Sequence, residues 1–303
     1  MTQTVLILGG TGKIGAHAAI AFENAGWTVR HYDRKSGDMT RAAMGADVII
    51  NGLNPPNYHN WAQLIPQITA QIIDAAKASG ATVIVPANIY NFGNQPGTFD
   101  EHTPQRAHTR KGKIRVEMEK SYAAAGVQTI LLRAGNFIDP TGNGDIMSVA
   151  MMRSIRKGKL TSLGDPTAMQ AYCYVPDWAR AAVMLAQKRN QLNTFEDIPF
   201  PGHAFTSNQL HAEIEQHLGR AITLTAFPWW VMKLLSPVWE LAREFSEMRY
   251  IYAMPHQLSA EKFTKILPEF VATDRETVMH AGLPRDINPD KPMRASTQGT
   301  INA

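Results

Sequence analysis

The segment LILGGTGKIGAHAA, residues 6–19, places Gly9, Gly12 and Gly15 between a short apolar run and a helix-like stretch. That order of strand, glycines and helix is what dinucleotide binding requires. Gly9 allows a tight turn, Gly12 lets the backbone approach a pyrophosphate, and Gly15 permits close helix–strand packing. The start of the helix then offers unpaired N–H groups to an anion. The plainer alternative is a tight strand–helix turn with no ligand. HYDRK, residues 31–35, supports the ligand. Asp33 could accept hydrogen bonds from an adenosine ribose, which suits NAD, whereas Arg34 could pair with a 2′-phosphate, which suits NADP. The basic pair Arg34 and Lys35 tips the expectation toward NADP, unless it is only a solvated loop.

A second group lies in RAHTRKGKIR, residues 106–115. Thr109, Lys113 and Glu117 are spaced i, i+4 and i+8, so they share one face of a helix. Such a basic run could favour an anionic substrate or cofactor phosphates, although a solvated helix face is its commoner meaning. Cys173, the single cysteine, lies in the apolar AYCYV and reads as a buried inert thiol. The ten histidines, His203, His211 and His217 among them, show no HExxH or paired metal spacing, so no metal site is expected. Trp229, Trp230 and Trp239 could line a pocket or a subunit contact, with core packing at least as good an explanation. Asp177, ahead of WARAAVMLA, fits a helix N-cap or first-turn acid.

These groups need a scaffold. The first half alternates strand-like segments at 4–9, 27–33, 46–52, 81–87 and 127–133 with helix-like segments at 13–25, 61–79 and 111–124. That alternation predicts βαβ units and an α/β, Rossmann-type doubly wound parallel sheet. After about Thr161 the strands shorten and Pro and aromatic residues rise. The division expected is a dinucleotide-binding domain over 1–160 and a smaller C-terminal substrate lobe over 161–303, with about 172–190 returning to the first domain. The 303 residues suffice for a sizeable core, and 44% hydrophobic with 18% charged residues is ordinary globular composition. A net charge of +4 is compatible with anionic small molecules and too slight to argue for nucleic acid. With no leader-like start and no apolar run long enough for a bilayer, a cytoplasmic protein without membrane partners is expected.

The chain resembles the extended short-chain dehydrogenase/reductases, the NAD-dependent epimerase/dehydratase group. GGTGKIG resembles that family's glycine signature, and VIVPANIYNFG its strand leading to Val-Tyr-Gly. RAGNFIDP, residues 133–140, is similar to its Arg-Pro-Gly-Asn segment, and YVPDWARA, residues 174–181, to its Val-Asp-Asp-Val-Ala-Arg-Ala helix entry. FTSNQLHAEIEQHLGRAI resembles its Thr-x-x-Glu-Leu helix and Leu-Gly-Arg close. The resemblance implies a tyrosine that removes a hydroxyl proton, a lysine four residues on that binds the nicotinamide ribose, and a serine or threonine that orients the substrate. Lys113 matches the lysine, the tyrosine position reads Thr109, and the serine region reads Ala87 and Asn88. An alkyl hydroxyl is far too weak an acid to stand in for a phenol. Substitutes are Tyr90 of the Val-Tyr-Gly-like loop, Lys113 itself as in the isoflavone-reductase-like branch, and Asn88 in place of the serine. The expected cofactor contacts are Gly9, Thr11, Gly12, Lys13, Ile14, Gly15, Asp33, Arg34, Leu53 and Lys113. The implied activity is that of an NAD(P)-dependent oxidoreductase or epimerase-like enzyme on a small polar substrate, anionic or a nucleotide sugar. The rival is a dinucleotide-binding sensor, as in NmrA-like regulators, and a homodimer stays open.

Overall fold

The computed structural model describes residues 2–142 and 144–288. Strand β1, Thr4–Leu8, alternates its side chains between two buried faces, and this is what a doubly covered strand requires. Val5 and Ile7 join a core with Ile14, Ala18 and Phe22 of helix α1, Lys13–Asn24. Leu6 and Leu8 face the opposite way, into a core with Ile65 and Ile72. The chain continues through β2 (Thr28–His31), a short α2 (Met39–Ala43), β3 (Val48–Asn51), α3 (Trp61–Ser79) and β4 (Thr82–Ala87). A three-residue β5 (Gly97–Phe99), α4 (Arg110–Ala124), β6 (Thr129–Arg133) and β7 (Asn136–Ile138) follow.

Then come β8 (Lys159–Ser162), β9 (Gln170–Tyr174), α5 (Val175–Lys188) and β10 (Phe195–Pro199). The main sheet has the order β10-β6-β4-β3-β1-β2, parallel throughout. From β1 the chain moves outward to β2 and then returns past β1 to β3. The switch point therefore lies between the carboxyl ends of β1 and β3, the place where open α/β sheets bind ligands. The covering layers are α1 and α5 on one face, α3 and α4 on the other.

The return of the chain runs further than 172–190. Helix α5 packs against α1, and β10, at 195–199, closes the main sheet beside β6. Small sheets occupy the rest: β9 between β7 and β11 (His203–Phe205), β8 with β12 (Thr223–Ala226), and β5 with β13 (His256–Leu258). A separate core, rich in methionine and aromatic residues, holds Met147, Met151, Met152, Tyr172, Phe205 and Trp229 together with α6, Ser207–Leu218. Two short helices, α7 (Trp229–Leu235) and α8 (Glu240–Glu247), complete this part. Residues 289–303 of the expected lobe lie outside the described residues.

Candidate active site at the carboxyl edge of the sheet

Gly9 takes φ +72°, in the left-handed region, and a Cβ there would come within 2.7 Å of the Gly52 carbonyl oxygen. A side chain at Gly15 would collide with the Gly9 carbonyl oxygen. The turn is therefore closed to anything but glycine on its packing side, and Gly12 N–H bonds Gly9 O at 2.9 Å. Gly12 is the N-cap of helix α1, which has no side-chain cap and no acidic residue in its first turn. Its leading N–H groups and the positive end of its dipole thus remain for an anion. Thr11 and Ile14 stand in this turn, and Leu53 follows β3, its N–H bonded to Asn51 Oδ1 at 3.2 Å.

Lys13 points sideways from the same turn. Its Nζ donates to the Gly144 carbonyl at 2.9 Å, and burial lowers its pKa, with Asp145 and Asp139 pulling the other way. Behind it, His17 Nε2 lies 3.0 Å from Asp139 Oδ1. Asp33 follows β2 and its Oδ1 accepts from Lys35 N at 2.9 Å, shaping the turn in which Arg34 is exposed.

The helix expected to carry the chemistry is turned differently from what Thr109, Lys113 and Glu117 suggest. Thr109 is the N-cap of α4, its Oγ1 accepting from Gly112 N at 3.1 Å. Lys113 and Glu117 do share a face, but it is the outer one. Both are exposed, along a groove with Ile65, Pro66 and Ile114 of the α3–α4 surface. Glu117 pairs there with Lys120 at 2.9 Å. The inward stripe is Lys111, Gly112, Arg115, Met118, Glu119 and Tyr122, at helical spacing. Two residues of shift rotate a side chain by about 200° about the axis, from one side of a helix to the other.

On that inner side, Lys111 is fully buried. Its Nζ pairs with the Glu244 carboxylate and with Glu247 Oε2 at 2.6 Å, both from α8, and lies 5.0 Å from the centre of the Tyr58 ring. Arg110 also pairs with Glu244. Burial pushes the Glu244 carboxyl up, but hydrogen bonds and charge from Lys111 and Arg110 outweigh it and hold the group below its ordinary range. Arg115 donates to Asn54 Oδ1 at 3.2 Å and lies 4.7 Å from the centre of the Trp61 ring. Its Nε is buried without a hydrogen-bond partner among the described residues. One turn further, Glu119 binds Arg133, which Asp197 holds from the other side at 2.6 Å.

Two phenols meet beside these cations. Tyr90 follows β4, its N–H bonded to Asn88 Oδ1 at 3.0 Å, and its hydroxyl lies 3.4 Å from that of Tyr58. The Asn88 carbonyl is gripped by Arg133. Burial raises the Tyr90 pKa; the Tyr90 phenol and then burial raise that of Tyr58. Neither phenol is a stored anion at neutral pH. Tyr58 and Arg115 are the residues the sequence reading missed. The signals were the tyrosine in NPPNYHN after the third strand, and the lysine–arginine pair Lys111 and Arg115 at i, i+4, offset by two from Thr109 and Lys113.

Residues 5–198 match the NAD dependent epimerase/dehydratase family, about two thirds of the chain. The chain belongs to that family. A search of curated proteins finds no match. Among solved structures, the chain is similar to MoeE5 in complex with UDP-glucose and NAD, at 15% identity and a TM-score of 0.72, covering 92% of this chain and 97% of that one. UDP-glucose 4-epimerase from Brucella ovis in complex with NAD is 18% identical, with a TM-score of 0.71 over 93% and 99% of the two chains. A monomeric L-threonine 3-dehydrogenase from a metagenome database is 13% identical, TM-score 0.71, over 95% and 100%. At such identities the likeness is one of fold.

Asp177 sits in the first turn of α5, buried, accepting from Thr273 N at 2.8 Å and Thr273 Oγ1 at 2.7 Å. Cys173 is buried and burial raises its thiol pKa. Trp229 packs in the core, its Nε1 bonded to Leu163 O at 2.6 Å, whereas Trp230 is 71% and Trp239 44% exposed. No group of histidine, cysteine and carboxylate side chains fit to hold a metal occurs among the described residues, and no helix there is long and apolar enough to cross a membrane.

Proposed function

We propose that this family member binds a nicotinamide dinucleotide across the carboxyl ends of β1 and β3 and is an NAD(P)-dependent oxidoreductase or epimerase-like enzyme. Its substrate is a small polar molecule bearing a hydroxyl or carbonyl, with nucleotide sugars the first class to try, given the UDP-glucose complex among its structural neighbours. The glycine turn and the uncapped start of α1 would hold the pyrophosphate; Asp33 and Arg34 would meet the adenosine ribose, with Arg34 favouring a 2′-phosphate. The nicotinamide, when bound, supplies or accepts the hydride.

The observation that carries the reading is the phenol of Tyr90 just after β4, 3.4 Å from the Tyr58 hydroxyl and within the field of the Arg115 charge. With no tyrosine on α4's inner face before Arg115, Tyr90 takes the acid–base role. Raised by burial, it is protonated at neutral pH and so donates a proton to a developing alkoxide, the direction of carbonyl reduction. Arg115, whose buried Nε lacks a partner among the described residues, is the cation that would hold the cofactor's ribose from the inner face. Lys113, on the outer face, has no part in this scheme. Asn88 shapes the loop that carries Tyr90.

A sensor that binds the dinucleotide without turnover is the second reading, favoured by Lys111 being sealed under Glu244 and Glu247. Purified protein assayed with NADH and NADPH against aldehydes, ketones and nucleotide sugars separates the two. Turnover that falls by about a hundredfold or more in Tyr90→Phe supports the enzyme with Tyr90 as acid. Cofactor binding with no turnover across the panel supports the sensor.

A further inference from the structure

Among the described residues, three non-glycine residues have φ in the left-handed region, and all lie between β3 and α3: Asn57 at 55°, Tyr58 at 61° and Asn60 at 45°. Asparagine tolerates this region; an aromatic residue rarely occupies it. Such an outlier persists only where its surroundings hold it. Here the Tyr58 ring lies edge-on to Trp61 at 5.0 Å, and the buried ammonium of Lys111 lies 5.0 Å from its centre. His59, the next residue, meets Glu240 of α8 at 2.9 Å. The outcome of this bracing is one contact, the Tyr58 hydroxyl 3.4 Å from the Tyr90 hydroxyl.

We propose that Tyr58 is a positioning residue for proton transfer at Tyr90, its hydroxyl donating a hydrogen bond to the Tyr90 oxygen once that oxygen has given up its proton. This rests on the acid–base role given to Tyr90 above. In the resting pair either oxygen can donate. After transfer the choice disappears: the Tyr90 O–H bond has broken, the substrate O–H bond has formed, and only Tyr58 still carries a hydrogen between them. A charge-assisted bond to an anionic oxygen is stronger than the neutral one it replaces, so the contact favours the state that follows transfer. Arg115, whose charge acts on both phenols, favours it further. Running the reaction as hydroxyl oxidation reverses each step and uses the same bond.

The test reads the phenol pair directly and needs no substrate. Placing 3,5-difluorotyrosine at position 90 of the full chain makes that phenol more acidic, and fluorine NMR follows its ionisation. Replacing Tyr58 by Phe in that chain keeps the ring against Trp61 and removes the hydroxyl. The midpoint at position 90 is expected to rise by about one pH unit, a tenfold loss of acidity. An unchanged midpoint overturns the proposal. Should Tyr58→Phe fail to fold, difluorotyrosine at both 58 and 90 gives a second measurement. Two coupled ionisation steps are expected, and two independent single steps overturn the proposal. Neither result depends on turnover, so a Tyr90→Phe enzyme that remains fully active would remove the catalytic reading while leaving the phenol pair measured in its own right.

Discussion

The turn between β1 and α1 and the inner face of α4 are built on opposite principles. The turn works through backbone: Gly9 at φ +72°, a helix start without a cap, and contacts that exclude a Cβ. The face of α4 works through long charged side chains: Lys111 and Arg115, held by Glu244 and Asn54 far away in the chain, and Glu119, held by Arg133. A backbone device is local and announces itself by residue type. A side-chain device depends on how the helix is rotated, and that is a property of what packs around it.

The largest expected effect separates two lysines of α4. Lys111→Met leaves the Glu244 carboxylate buried without its main partner, and equilibrium urea unfolding should show a loss of about 3–5 kcal/mol. Lys113→Met, two residues away on the exposed face, should stay within about 0.5 kcal/mol of the parent. Equal losses would mean that the face assignment is wrong.

Next comes the turn. Gly15→Ala puts a Cβ into the Gly9 carbonyl. We expect NADH affinity, followed by fluorescence titration, to fall by about a hundredfold, because the turn must open to admit the methyl group. Unchanged affinity would show that the turn does not hold the dinucleotide.

Acid should act on α4 and spare the turn. Glu244 is held below its ordinary range in the folded chain, so its contribution is complete above its unfolded pKa of 4.5 and is lost as pH falls through the lower folded value. The gap in melting temperature between the parent and Glu244→Gln should therefore be wide at neutral pH and narrow as pH falls below 4.5. A gap that persists there would mean that the carboxylate's charge is not what joins α8 to α4. The smallest effect is at the ribose: Arg34→Ala should weaken NADPH binding by about fivefold to tenfold and spare NADH. Equal changes would remove Arg34 as the phosphate contact.

Why one region was legible and the other was not follows from periodicity. The strands at 4–9, 46–52, 81–87 and 127–133 are continuous apolar runs, and the structure places β1, β3, β4 and β6 within them. Helices α1 and α3 carry apolar stripes that orient them. Helix α4 has none: half of its inward residues are charged, so Lys113 and Glu117 share a face as their spacing required while nothing said which face, and Thr109 is instead the buried N-cap. Tyr58 was hidden for another reason. Nothing in NPPNYHN announces a left-handed tyrosine, because the bracing comes from Trp61, Lys111 and Glu240.

By itself the sequence determined the parallel α/β scaffold and the glycine turn, since both rest on interactions between near neighbours: alternation of strand and helix, and a backbone conformation open to glycine. The tertiary structure alone decided the rotation of α4, the sealing of Lys111 under α8 and the meeting of Tyr58 with Tyr90. Each of these joins segments that are 32 to 136 residues apart, and their positions are set by the packing of whole elements.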